Sequence, residues 1–129
     1  MSNYEFNDSH IHLTNYCQEG PDIRDFLKMM GDTIKRSVLF GLPLQQHWSY
    51  AEMGDVPPTY YMQADAPLYY YSFTDAYIAM QYKSLTPQEQ ARFDPLISGF
   101  NPADMFGVEH IRRVLKTFPG VFCGIGEFS

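Results

Sequence analysis

Two histidines that alternate along one short segment are the residues of this sequence best suited to chemistry. The segment reads Asp8-Ser9-His10-Ile11-His12 and belongs to a predicted first strand, Phe6–Leu13. Because alternate side chains of a strand share a face, Asp8, His10 and His12 are predicted to lie on one side of the sheet. Two neighbouring imidazoles can bind one divalent ion, with Asp8 hydrogen-bonded to one of them. The alternative interpretation is a pair of half-buried histidines that only pack.

A second candidate is Glu127, in the segment Gly124-Ile125-Gly126-Glu127 of a predicted strand Val121–Phe128. Parallel strands present their carboxyl ends at one edge of a sheet, so Glu127 is expected on the same side as the histidine pair. The two glycines would let backbone or a ligand approach closely. Taken alone, the pattern favours an exposed glutamate after an edge strand.

The remaining histidines and cysteines are weaker candidates. His47 and Trp48 follow the second predicted strand on the edge expected for the histidine pair. A substrate contact is one interpretation of these two residues, and an exposed loop is the other. His110 falls in a predicted helix beside Ile111 and is interpreted as a surface residue. Cys17 is interpreted as a thiol without a ligand role.

The elements that must position these residues alternate between strand and helix. Helices are predicted from Pro21 to about Gly31, from Asp75 to Leu85, after Thr86 and after Asn101-Pro102, the last with an apolar stripe through Val108, Ile111, Leu115 and Phe118. The other two strands are predicted at Ser37–Leu42 and Phe93–Phe100, although Pro95 is unusual in a strand. Four strands separated by helices predict an α/β fold with a parallel sheet.

The stretch from Pro43 to Phe73 has no clear periodicity and is rich in tyrosine and proline. Long irregular segments inside a domain are often functional. We expect this one to lie over the carboxyl edge of the strands as an aromatic lid. A self-packed insertion or an oligomer contact is the alternative.

Composition limits the class of function. The sequence has 129 residues, 45% of them hydrophobic, and a net charge of −6, which together predict one globular domain spanning 1–129. Acidity without a basic cluster argues against nucleic acid as the partner. No long apolar run predicts a membrane helix, and no signal peptide is visible. The only cysteines, Cys17 and Cys123, suit a reducing compartment, so a cytoplasmic location is expected.

With these motifs in place, the sequence resembles the N-terminal half of the amidohydrolase superfamily. The resemblance is carried by Asp8-Ser9-His10-Ile11-His12 on the first strand and Gly124-Ile125-Gly126-Glu127 on the fourth. It implies a TIM-type (β/α)8 barrel, a divalent metal (zinc in many members) and hydrolysis of an amide, ester or related bond in a small molecule. It also implies that His10, His12 and Glu127 are metal ligands.

The resemblance implies further ligands and a catalytic aspartate on strands beyond the fourth. The 129 residues are therefore expected to form about half of a barrel and to be inactive alone. Either a missing C-terminal half or a second copy of the chain is expected to complete the sheet. A related metal-dependent decarboxylase, or a non-catalytic half-barrel that self-associates as a binding module, is the alternative function.

Overall fold

A computed structural model describes residues 4–14, 20–42, 71–100, 102 and 105–126 of the chain. Within these ranges, the strands are β1 (Phe6–Thr14), β2 (Ile34–Gly41), β3 (Phe93–Ile97) and β4 (Gly124–Ile125). The helices are α1 (Ile23–Met30), α2 (Tyr71–Lys83), α3 (Pro87–Gln90) and α4 (Gly107–Thr117). None of these helices has the length and apolar composition needed to cross a bilayer.

The described strands form one parallel sheet in the order β1-β2-β3-β4. On one face, Leu39 and Phe93 pack with residues of α1 and α2, and Ile97 packs with Val114 of α4. No described helix packs on the opposite face, which carries His10, His12 and Phe40 and which we call the helix-free face. The predicted α/β class with alternating strands and helices in a parallel sheet is confirmed.

Local signals place the ends of α1 and α3 where the sequence predicts them. The Asp22 side chain accepts a hydrogen bond from the Arg24 backbone N–H at the start of α1, and Gly31 ends this helix with φ of 49°. Thr86 and Glu89 form the predicted capping box around Pro87. The Thr86 backbone N–H donates to the Glu89 carboxylate and lowers the pKa of Glu89.

β3 accommodates Pro95 because the backbone nitrogen and carbonyl of this residue face away from β2. The Pro95 carbonyl accepts from the Cys123 N–H, so the Pro95 nitrogen also faces the β4 side of β3. β4 begins only at Gly124, and the missing N–H therefore removes no bond to β2. The strand ends at Ile97, earlier than the predicted Phe100.

α4 departs from its prediction in both its start and its rotation. The helix begins at Gly107, after Phe106, and not directly after Asn101-Pro102. Val108 and Leu115 of the predicted apolar stripe are 58% and 46% exposed, whereas Gly107 and Val114 are buried. The predicted stripe is therefore right for Ile111 and Phe118, which pack against the cluster of Ile97 and Val114, and wrong for Val108 and Leu115.

Candidate functional site

β1 brings the rings of His10 and His12 together on the helix-free face of the sheet. Their ring centres are 4.7 Å apart, with the ring planes inclined by 45°. Both rings also contact Phe40, the neighbour of His12 on β2, at centre-to-centre distances of 5.1 Å and 4.7 Å. Phe40 is only 2% exposed. The two imidazoles therefore lie side by side, and both pack against the buried ring of Phe40.

The register of β1 shifts between Asp8 and Ile11, a span that includes His10. Asp8 to Ile11 on β1 is one residue longer than the opposing Ser37 to Leu39 on β2, so β1 bulges at this point. Bulges of this kind re-aim side chains and are frequent beside functional sites. The Asp8 carboxylate accepts a hydrogen bond from the His10 backbone N–H at 3.0 Å. A hydrogen bond from an imidazole N–H to the Asp8 carboxylate stays a prediction.

The donor chemistry of the pair suits a divalent ion, but the pair alone is not a complete site. Within the described residues, no group of three or more His, Cys, Asp or Glu side chains is placed to hold a metal. The predicted third ligand, Glu127, lies outside the described residues, as do His47 and Trp48. His10 and His12 can supply two of the three protein ligands that an open zinc site normally has.

A second polar cluster, on the helix-covered side, is centred on Asp75 of α2. This residue is 0% exposed. Its Oδ1 accepts from the backbone N–H groups of Ser98 and Gly99 at 2.9 and 3.0 Å, and its Oδ2 lies 2.8 Å from Nε2 of His110 on α4. In the tautomer that carries its proton on Nε2, His110 donates to this oxygen. Asp75, Ser98, Gly99 and His110 together form what we call the clasp.

The clasp is linked to the end of β2 through Ser98. The Ser98 hydroxyl donates to the Gly41 carbonyl at 2.6 Å. Gly41 is itself enclosed, because a Cβ at this position would lie 2.8 Å from the Cγ2 atoms of both Thr14 and Thr74. A side chain at residue 41 would therefore force the Thr14 and Thr74 side chains to shift. The ends of three strands and the start of α2 are packed around this glycine.

His110 corrects the sequence analysis, which interpreted it as a surface residue. The His110 side chain is only 17% exposed and contacts the buried carboxylate of Asp75. The observed inner face of α4 passes through Gly107, His110, Val114 and Phe118, and this spacing is helical. That second stripe is visible in the sequence, but it contains a glycine and a histidine and is therefore less apolar than the predicted one.

Cys123 is the one cysteine in the described ranges. Burial raises the pKa of the Cys123 thiol, and the nearby Asp94 charge adds to this effect. The Cys123 sulfur also lies 3.4 Å from the Pro95 carbonyl oxygen, to which its thiol donates. Reactive cysteines have a lowered pKa, so this thiol is a poor nucleophile.

Comparison with known proteins identifies no relative of this chain. No family model matches the chain, and no similar protein was found among the curated proteins or the solved structures. The functional argument therefore depends on the geometry of the two histidine-containing clusters.

Proposed function

We propose that His10 and His12 hold a divalent metal ion, zinc being the favoured one, in a hydrolase of the amidohydrolase type. The substrate class is a small molecule with an amide, ester or related bond. The observation that carries the proposal is the contact of the two imidazoles, whose ring centres are 4.7 Å apart on the helix-free face.

The spacing of the rings fits two ligands of a single ion. Imidazole nitrogens that bind one tetrahedral zinc at roughly 2.0–2.1 Å leave their ring centres about 5 Å apart. Phe40 supports this arrangement, because its buried ring touches both imidazoles and limits how far each can rotate.

The sheet order supports the barrel part of the proposal. Sequential parallel strands with helices on one face are the arrangement of successive units in a (β/α) barrel, where the helix-free face is the interior. Active sites of such barrels lie at the carboxyl ends of the strands. In the proposed site, Glu127 is the further ligand, and His47 and Trp48 contact substrate.

The proposed chemistry divides between the ion and the chain. A bound ion lowers the pKa of a water molecule and polarises the bond to be broken. His10 and His12 hold the site and must be deprotonated to do so, which makes protons competitors at acid pH. Phe40 keeps the two rings in register, since it contacts both of them.

The test is a titration of the purified metal-free chain with Zn²⁺ by calorimetry and with Co²⁺ by visible absorption. Because ligands from later strands are expected to be missing, we expect the wild-type chain to bind one ion per chain only weakly, and His10→Ala or His12→Ala to show no saturable binding. Ser9→Ala is the matched control, because Ser9 is an exposed residue of the same strand. Unchanged stoichiometry in both histidine variants would remove the pair from the site.

Hydrolysis is measured separately from binding. Because the proposal puts further ligands and the catalytic aspartate on strands beyond the fourth, this test uses a preparation in which a longer chain or a second copy completes the barrel. Loaded with Zn²⁺, that preparation is expected to release p-nitrophenol from p-nitrophenyl esters, and neither a chelator-treated sample nor its His12→Ala variant should do so. A completed barrel that binds one ion through the pair yet hydrolyses no ester or amide would contradict the hydrolase assignment while leaving the metal site in place.

A further inference from the structure

We infer that Asp75 and His110 are positioning residues for the His10–His12 pair. The clasp fixes the carboxyl ends of β2 and β3, and through Gly41 and Phe40 it sets where the two imidazoles stand. The metal-binding part of this inference rests on the proposed function, whereas its structural part does not.

The first step is the rigidity of the clasp itself. The buried Asp75 carboxylate receives hydrogen bonds from Ser98, Gly99 and His110, which belong to the end of β3 and to α4. Leaving a buried donor or carboxylate without its partner is costly, so these groups move together or not at all. The position of the residues after β3 is therefore set by two helices.

The second step carries this position to β2. The Ser98 hydroxyl donates to the Gly41 carbonyl at 2.6 Å, and Thr14 and Thr74 leave no space around Gly41 for a Cβ atom. Thr74 precedes Asp75 in α2, so the helical turn that contains Asp75 also lies against Gly41. A displacement of the clasp would consequently displace Gly41.

The third step reaches the imidazoles. Phe40 directly precedes Gly41, and its buried ring touches His10 and His12. The end of β1 is tied to the same place, because the Leu42 backbone N–H donates to the Thr14 carbonyl at 3.1 Å. Coupling of this kind needs a continuous chain of packed groups, which the described contacts provide.

The experiment compares three variants by NMR. Long-range ¹H–¹⁵N spectra of the metal-free chain give separate signals for the His10 and His12 imidazoles, and their chemical shifts change when the surroundings of the rings change. His110→Phe keeps a ring but removes the donor to Asp75. His110→Gln keeps an amide donor of similar reach. Val114→Ala is the control, since Val114 is a buried residue of α4 that lies outside the clasp.

We expect His110→Phe to shift the His10 and His12 signals and to weaken Co²⁺ binding about tenfold, as for other residues that support metal ligands indirectly. His110→Gln should restore wild-type signals and affinity. Val114→Ala should lower Tm while leaving the imidazole signals in place. A folded His110→Phe variant with unchanged signals would overturn the inference, as would equal shifts in Val114→Ala.

Ser98→Ala covers the case in which His110→Phe does not fold, because it removes only the hydroxyl that joins the clasp to Gly41. It should shift the same two imidazole signals by a smaller amount, and unchanged signals would refute the inference. If the wild-type chain binds neither Zn²⁺ nor Co²⁺, the proposed metal site fails, while the metal-free spectra still decide whether the clasp positions the pair.

Discussion

The two histidine-containing clusters of this protein are built in opposite ways. His10 and His12 come from one strand, and His10 is exposed on the helix-free face. His110 and Asp75 come from two helices and are enclosed between them and the end of β3. The first cluster lies where a ligand can reach it, whereas the second directs its polar groups to other parts of the chain. Similar side chains are therefore proposed to bind a ligand in one place, and they hold parts of the fold together in the other.

The largest loss of stability is expected when the clasp is disrupted. Asp75→Asn keeps the oxygen that accepts from Ser98 and Gly99 but replaces the other by an NH₂ group, which cannot accept from His110, so the buried contact to His110 is lost. We expect the free energy of unfolding to fall by about 2–4 kcal/mol. Urea denaturation followed by circular dichroism measures this change.

Asp94→Asn is the matched control for that measurement. Asp94 makes a bidentate contact with Arg36, but the two side chains are 30% and 48% exposed. Pairs so open to solvent contribute roughly 0–1 kcal/mol. Equal losses for the two asparagine variants would contradict the contrast between a buried cluster and an open surface.

The elements that the sequence predicts well depend on short-range signals. The start of α1 at Asp22 and the capping box of Thr86 and Glu89 are set by hydrogen bonds between residues two or three positions apart. The proximity of His10 and His12 follows from strand alternation within one element. Interactions of this range can be read directly from the order of residues.

The clasp could not be predicted in this way. Asp75 is 23 positions from Ser98 and 35 positions from His110 along the chain. Nothing local indicates that these three residues meet, because their contact depends on the relative placement of two helices and a strand. The rotation of α4 is a tertiary choice as well, since burying His110 against Asp75 leaves Val108 and Leu115 exposed.

Substitution of two buried serines is expected to change the free energy of unfolding by an intermediate amount, and it compares a hydroxyl within the clasp with one outside it. Ser98→Ala deprives the Gly41 carbonyl of its donor, and we expect a loss of about 1–2 kcal/mol in the free energy of unfolding. Ser37 is equally buried, yet its hydroxyl has no hydrogen-bond partner among the described residues. Ser37→Ala should leave stability unchanged or raise it by up to about 1 kcal/mol. A larger loss for Ser37→Ala than for Ser98→Ala would be inconsistent with this assignment of the two hydroxyls.

The smallest effect on folding is expected for His10→Ala. His10 is exposed, and substitutions of exposed residues usually change the free energy of unfolding by less than about 0.5 kcal/mol. In the presence of Zn²⁺ the result should differ, because an ion that binds the folded chain stabilises it by about 2.7 kcal/mol at a free concentration of 100 Kd. Addition of Zn²⁺ should therefore raise the Tm of the wild type and leave the Tm of His10→Ala unchanged. Thermal unfolding with and without Zn²⁺ measures both. A metal-free loss above about 2 kcal/mol would instead place His10 among the structural residues, and the distinction between the two clusters would no longer hold.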